Sequence, residues 1–112
     1  AYHFYLKGRF HWNKRAPQDL RKAIEHFQQA IALDPTYALA YAGLADAYTL
    51  LANTGSPAHE IMPQARAAAQ QAVLLDDNLA EAHAALGNTI IYYDYDFAGA
   101  EREHKRAIEL NP

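Results

Sequence analysis

Apolar and polar positions recur with a helical period along almost the whole chain. Residues 17–33 show it most cleanly. Leu20, Ala23, Ile24, Phe27, Ala30 and Ile31 follow one another by steps of three and one, which places them on one side of a helix. The stretch Tyr41-Ala42-Gly43-Leu44-Ala45-Asp46-Ala47-Tyr48 sets a large residue, Leu, a small residue and another large residue at offsets 0, 3, 4 and 7. His83-Ala84-Ala85-Leu86-Gly87-Asn88-Thr89-Ile90 repeats that order. The small residue after each leucine admits another helix at close range, so Leu44 and Leu86 are expected in the core. Gly8 sits inside the apolar stripe Phe4, Tyr5, Leu6, Phe10, Trp12. A glycine there costs about 1 kcal/mol relative to alanine, which points to close packing as its purpose.

The breaks between stripes carry their own signals. After the polar connection 13–16, Pro17 suits the first turn of a helix, where its missing N–H is no loss. Asp34-Pro35 ends a helix, because the residue before a proline is driven out of the helical region. Gly55 offers a left-handed end residue, and Ser56-Pro57 a cap and restart. Pro63 stands for either a kink or a start; a helical turn from Pro57 running on to Leu75 is the expectation. Asp76-Asp77-Asn78 and Asp94-Tyr95-Asp96 are further breaks, with Asp96 as an N-cap. The pattern predicts six helices, over 1–13, 17–33, 37–51, 57–75, 79–93 and 97–110, and no strands.

The helix ends repeat as well. Ala30-Ile31-Ala32-Leu33-Asp34-Pro35, Ala72-Val73-Leu74-Leu75-Asp76-Asp77 and Ala107-Ile108-Glu109-Leu110-Asn111-Pro112 align, spaced 42 and 35 residues apart, each with an alanine seven residues earlier at Ala23, Ala65 and Ala100. Helix pairs recurring at such a period are the signature of an α-solenoid. The chain is similar to the tetratricopeptide repeat (TPR) family, a helix-turn-helix of about 34 residues. One unit matches as Tyr41, Leu44, Ala45, Tyr48, Ala65, Ala69 and Ala72, with Asp77 at the proline position. The last matches as His83, Leu86, Gly87, Ile90, Ala100, His104, Ala107 and Pro112. The first matches at Gly8, Ala23, Phe27, Ala30 and Pro35, with Lys7 in the leucine slot. The resemblance implies an all-α, right-handed α-α superhelix of three repeats (1–35, 36–77 and 78–112), expected to be a segment of a longer chain. The middle unit carries 8 extra residues around 53–63. The wording YLKGRFHWNKR and KAIEHFQQAIALDP also resembles repeat arrays of bacterial signalling proteins.

Composition adjusts this picture little. Alanine dominates an apolar share of 51%, which favours close-packed helices. Net charge is −3, but the first 22 residues carry +5 and the remainder −8. The basic end, with Phe10 and Trp12 interleaved, fits an acidic-peptide pocket better than a nucleic-acid patch, and Trp12 is expected in the first helix pair. No cysteine is present, which removes disulfides and thiolate metal sites. No apolar run reaches membrane-spanning length. A cytoplasmic protein without cofactor, metal, nucleic-acid or membrane partner is the expectation.

Candidate chemistry is sparse. The six histidines form no pair at i, i+4 and no H-E-x-x-H pattern, and His83 and His104 occupy slots of large packing residues. Asp94, Asp96, Glu101 and Glu103 lack the glycine-centred loop of a calcium site. No nucleophile–base constellation is present, so no enzyme is expected.

In the resembled family the first helix of each pair lines a concave groove for an extended peptide or a helix. By position, the resemblance implies groove residues Tyr5, Arg9 and Asn13 in the first unit. It implies Ala42, Asp46 and Thr49 in the second, and Ala84, Asn88, Ile91 and Tyr92 in the third, with Tyr5, Tyr48 and Tyr92 flanking small residues. Members that grip a C-terminal carboxylate use a Lys/Asn/Arg clamp at such positions. Here only Arg9 and Asn88 fit, while Ala42, Ala84 and Asp46 depart, and clamp-type docking is not expected. The implied function is a protein-interaction module with a protein or peptide partner. The alternative is a regulatory or self-association appendage of a bacterial kinase or transcriptional regulator, acting through an uncovered terminal helix.

Overall fold

The computed structural model describes residues 1–54, 57–94 and 96–111, with the helical backbone alone for 92–94. Six helices follow one another: α1 (Tyr2–Lys14), α2 (Pro17–Leu33), α3 (Ala38–Ala52), α4 (Ala58–Leu75), α5 (Ala80–Asp94) and α6 (Phe97–Leu110). Among the described residues there is no strand. Three antiparallel hairpins stack in a row. Helices α3 and α5 each pack on the hairpin before them; among the described residues α3 touches α1, α2, α4 and α5, whereas α6 touches α5 alone.

The local signals act where the sequence places them. Ala16 and Asp34 take extended backbone on either side of α2, whose first residue is Pro17. Asp34 accepts from the Thr36 N–H and hydroxyl at 3.1 and 2.7 Å, and Asp76 accepts from the Asn78 N–H at 3.1 Å. The same side-chain turn therefore stops α2 with a proline and α4 without one. Asp96 caps α6, its carboxylate accepting from the Gly99 N–H at 2.9 Å. The polar connection after α1 is shorter than the sequence implies: α1 continues to Lys14, and Arg15 turns the chain at φ 61°. A side chain in that left-handed region costs roughly 1 kcal/mol. Arg15 offsets it with its guanidinium 4.8 Å from the Trp12 ring centre. Pro57 is the residue before α4 rather than its first, and α4 runs unbroken past Pro63. Gly55 and Ser56, expected as end residue and cap, lie outside the described residues.

The core is built from alanine and a few large side chains, among which Phe27 and Leu20 are fully buried. A Cβ on Gly8 would stand 2.6 Å from the Phe27 ring, and one on Gly43 would also stand 2.6 Å from it. The ring is thus held between α1 and α3, and a single side chain joins the first hairpin to the second. The matching slots of the last hairpin hold Gly87 and His104, and a Cβ on Gly87 would meet that imidazole at 2.7 Å. In the middle hairpin both slots hold alanine, Ala45 and Ala69, each fully buried. Where one helix offers a ring, the other offers no side chain at all. Leu44 is buried as expected; Leu86 is only half-buried. The difference follows from position, since α4 packs on both α3 and α5 while α6 packs on α5 alone.

Candidate functional site

The first helices α1, α3 and α5 stand side by side, α3 touching both of the others. Tyr5, Ala42 and Ala84 occupy equivalent places on them, as do Arg9, Asp46 and Asn88. The accessible part of this face is narrower than the repeat pattern implies. Ala42 is 2% exposed and belongs to the core, and Thr49 is 6% exposed with its hydroxyl donating to the Ala45 carbonyl at 2.9 Å. Neither offers surface to a ligand, because α3 is covered by helices on several sides. Tyr48 is displaced from the face too: its hydroxyl accepts from Gln28 of α2 at 3.3 Å, and with Tyr41, Leu44 and Gln64 it lines a cleft between α3 and α4.

Tyr5, Arg9, Asp46, Ala84, Asn88 and Ile91 remain half-buried, and Asn13 is exposed at the end of α1. Asn88 is already engaged, its amide oxygen accepting from His104 Nε2 at 3.0 Å. Ala84 lines a cleft of about 240 Å³ together with Ala80, Glu81, Ala107, Ile108 and Asn111. The Tyr92 side chain lies outside the described residues.

Electrostatics ties the three first helices together. Burial raises the Tyr5 phenol above its usual value; the Arg9 charge opposes this, and Glu81, Asp46 and Tyr2 add to it. Asp46 is pushed up to about 7, chiefly by burial, with Arg9 pulling down and Glu81 pushing up. Among the described residues Asp46 has neither a hydrogen bond nor an ion pair. The Arg9 guanidinium lies instead 4.4 Å from the centre of the Trp12 ring. Beside Tyr5 stand Tyr37, with ring centres 5.5 Å apart, and Tyr2, at 6.3 Å. Burial raises the Tyr37 phenol as well. Glu81 and Tyr37 carry no signal within a single repeat; they join the face from one turn earlier on α5 and from the turn before α3.

A second polar cluster was not legible at all. His83, 5% exposed, sets Nδ1 2.6 Å from the Glu103 carboxylate and Nε2 2.7 Å from the Asp77 carbonyl, with the Asp77 carboxylate at 3.4 Å. Both nitrogens face oxygen acceptors, so the ring is held as an imidazolium. Burial alone would lower its pKa, but the Glu103 and Asp77 hydrogen bonds and charges outweigh it and raise the value. This cluster ties α6 to the start of α5 and lies within the fold. Among the described residues no group of three or more His, Asp or Glu side chains is placed to hold a metal ion, and no helix is long and apolar enough to cross a membrane.

The family model described as TPR repeat matches residues 15–51. Among solved structures, the second TPR of Spaghetti (RPAP3) bound to the HSP90 peptide SRMEEVD matches in fold with a TM-score of 0.76. It is 23% identical, over 98% of this chain and 85% of that one. No curated protein matches the sequence.

Proposed function

We propose that the chain is a non-enzymatic protein-interaction module, built as an array of tetratricopeptide repeats, that takes a peptide or helix along α1, α3 and α5. One observation carries the reading: polar and aromatic side chains from all three first helices, Tyr5 and Arg9, Asp46, and Glu81, interact on one face. Among the described residues, none of these side chains forms a hydrogen bond. The repeat domain of Spaghetti, alike in fold, holds a peptide, and an analogous use of this face fits what the face offers. Its chemistry is different, with a carboxyl where a carboxylate clamp needs an amide or a cation.

A random peptide library of about 12 residues, displayed and selected on the array, tests this. Ala84→Arg fills the face, whereas Leu74→Glu changes a residue 80% exposed on α4. Selected peptides are expected to lose at least about tenfold in affinity, or ~1.4 kcal/mol, with the first variant and nothing with the second. Peptides indifferent to Ala84→Arg would remove the reading. The self-association alternative draws on Ile108, 64% exposed on the uncovered end helix. Light scattering showing a monomer at high concentration removes that alternative.

A further inference from the structure

We propose that this face holds a site for one basic side chain of the partner, walled by Tyr5 and Tyr37 and floored by Asp46 and Glu81. The inference rests on the interaction reading and names what the face would recognise. Asp46 is half-buried, and its carboxyl has no partner among the described residues. A carboxyl in that position is costly to keep, since burial without a hydrogen bond forfeits its hydration. Nothing in the fold needs it: the equivalent positions hold Arg9 and Asn88.

The cation nearest at hand does not neutralise it. Arg9 is drawn onto the Trp12 ring and forms no ion pair with Asp46 or Glu81 among the described contacts. Once Asp46 is ionised, two carboxylates against one arginine leave the spot anionic. The tyrosine pair supplies the rest, because an ammonium or guanidinium gains both from aromatic faces and from charge-assisted hydrogen bonds to carboxylate. An acidic peptide would meet Asp46 and Glu81 directly, which argues against it.

The ionisable groups bearing on the site are Arg9 and Tyr5 of α1, Asp46 of α3 and Glu81 of α5, with Tyr2 and Tyr37 at its edge. Asp46 titrates near 7, so a cation meets a mostly neutral carboxyl at pH 6 and a mostly ionised one at pH 8. Affinity for a cation is therefore expected to rise up to about tenfold across that interval.

The probe is Nα-acetyl-lysine methylamide, titrated into the ¹⁵N-labelled array and followed by NMR, with the norleucine analogue as uncharged control. Saturable shifts at Tyr5, Asp46 and Glu81 are expected with the lysine compound only, weakened at least about tenfold in Asp46→Asn and strengthened from pH 6 to pH 8. Glu81→Gln serves as the second variant if the unliganded spectrum of Asp46→Asn shows a disturbed fold. Equal shifts from norleucine, shifts scattered over the surface, or indifference to both substitutions would overturn the proposal. Selected peptides that depend on Ala84 but not on a lysine or arginine overturn this inference and leave the interaction reading standing. Peptides that ignore Ala84 remove the reading itself.

Discussion

Replacing Gly43 by alanine sets two effects of opposite sign against each other. Within a helix the change ordinarily stabilises by about 1 kcal/mol, since alanine has less backbone freedom to lose. Here the added Cβ would stand 2.6 Å from two atoms of the Phe27 ring, well inside contact distance. The ring has no direction of retreat, because Gly8 faces it at the same distance from α1 and Phe27 is fully buried. Overpacking of this kind costs about 1–3 kcal/mol, so Gly43→Ala is expected to destabilise by up to ~2 kcal/mol in spite of its better helix propensity. Phe27→Leu, costly alone, gives the new methyl room. In that background Gly43→Ala should recover its ordinary sign, and the two changes should couple by about 1–3 kcal/mol. Urea unfolding followed by circular dichroism, on the four proteins of the cycle, measures this. If Gly43→Ala stabilises the parent by its full propensity gain, or the two changes add independently, Phe27 does not bridge the hairpins as described.

Three further outcomes follow from the polar contacts and the repeat ends. His83 has a folded pKa raised above its usual value, so its contribution is complete below about pH 6.5 and is lost as pH rises through the folded value. Stability should therefore fall on going from neutral to alkaline pH, and Glu103→Gln should flatten that slope in urea titrations at several pH values. Asp96→Ala removes the cap on Gly99 and should cost about 1 kcal/mol in thermal or urea unfolding, while Asp96→Asn retains most of it. Leu44→Ala should cost about 2–5 kcal/mol, and Leu86→Ala, at the half-buried equivalent, measurably less; equal losses would tell against the uncovered end.

The helix limits were readable because their signals are local. Pro17, Asp34-Pro35 and Asp96 each act within a few residues, and the observed helices begin and end close to where those residues place them. The pairing of helices was readable because three copies of one pattern reinforce one another. The face was less so. A repeat pattern assigns positions as though every unit had the same neighbours, whereas α3 is enclosed by four helices and hides Ala42 and Thr49. What surrounds Asp46 depends on Glu81 of the next hairpin and on where Arg9 comes to rest, and neither is set by spacing within a unit. His83 shows the same limit. The slot for a large residue was evident, but its engagement by Glu103, twenty residues away, emerges only when α6 folds back.

Trp12 gives the molecule a built-in optical probe. It is the sole tryptophan of the chain, half-buried, with an indole N–H that meets no acceptor among the described residues and two guanidinium groups against its ring. Of these, Arg9 also belongs to the face between the first helices. An occupant that shifts Arg9 on the ring changes the polarity and quenching around the indole. Emission from this single residue thus reports on a site built mostly from other helices, and titrations can be followed on the unlabelled protein.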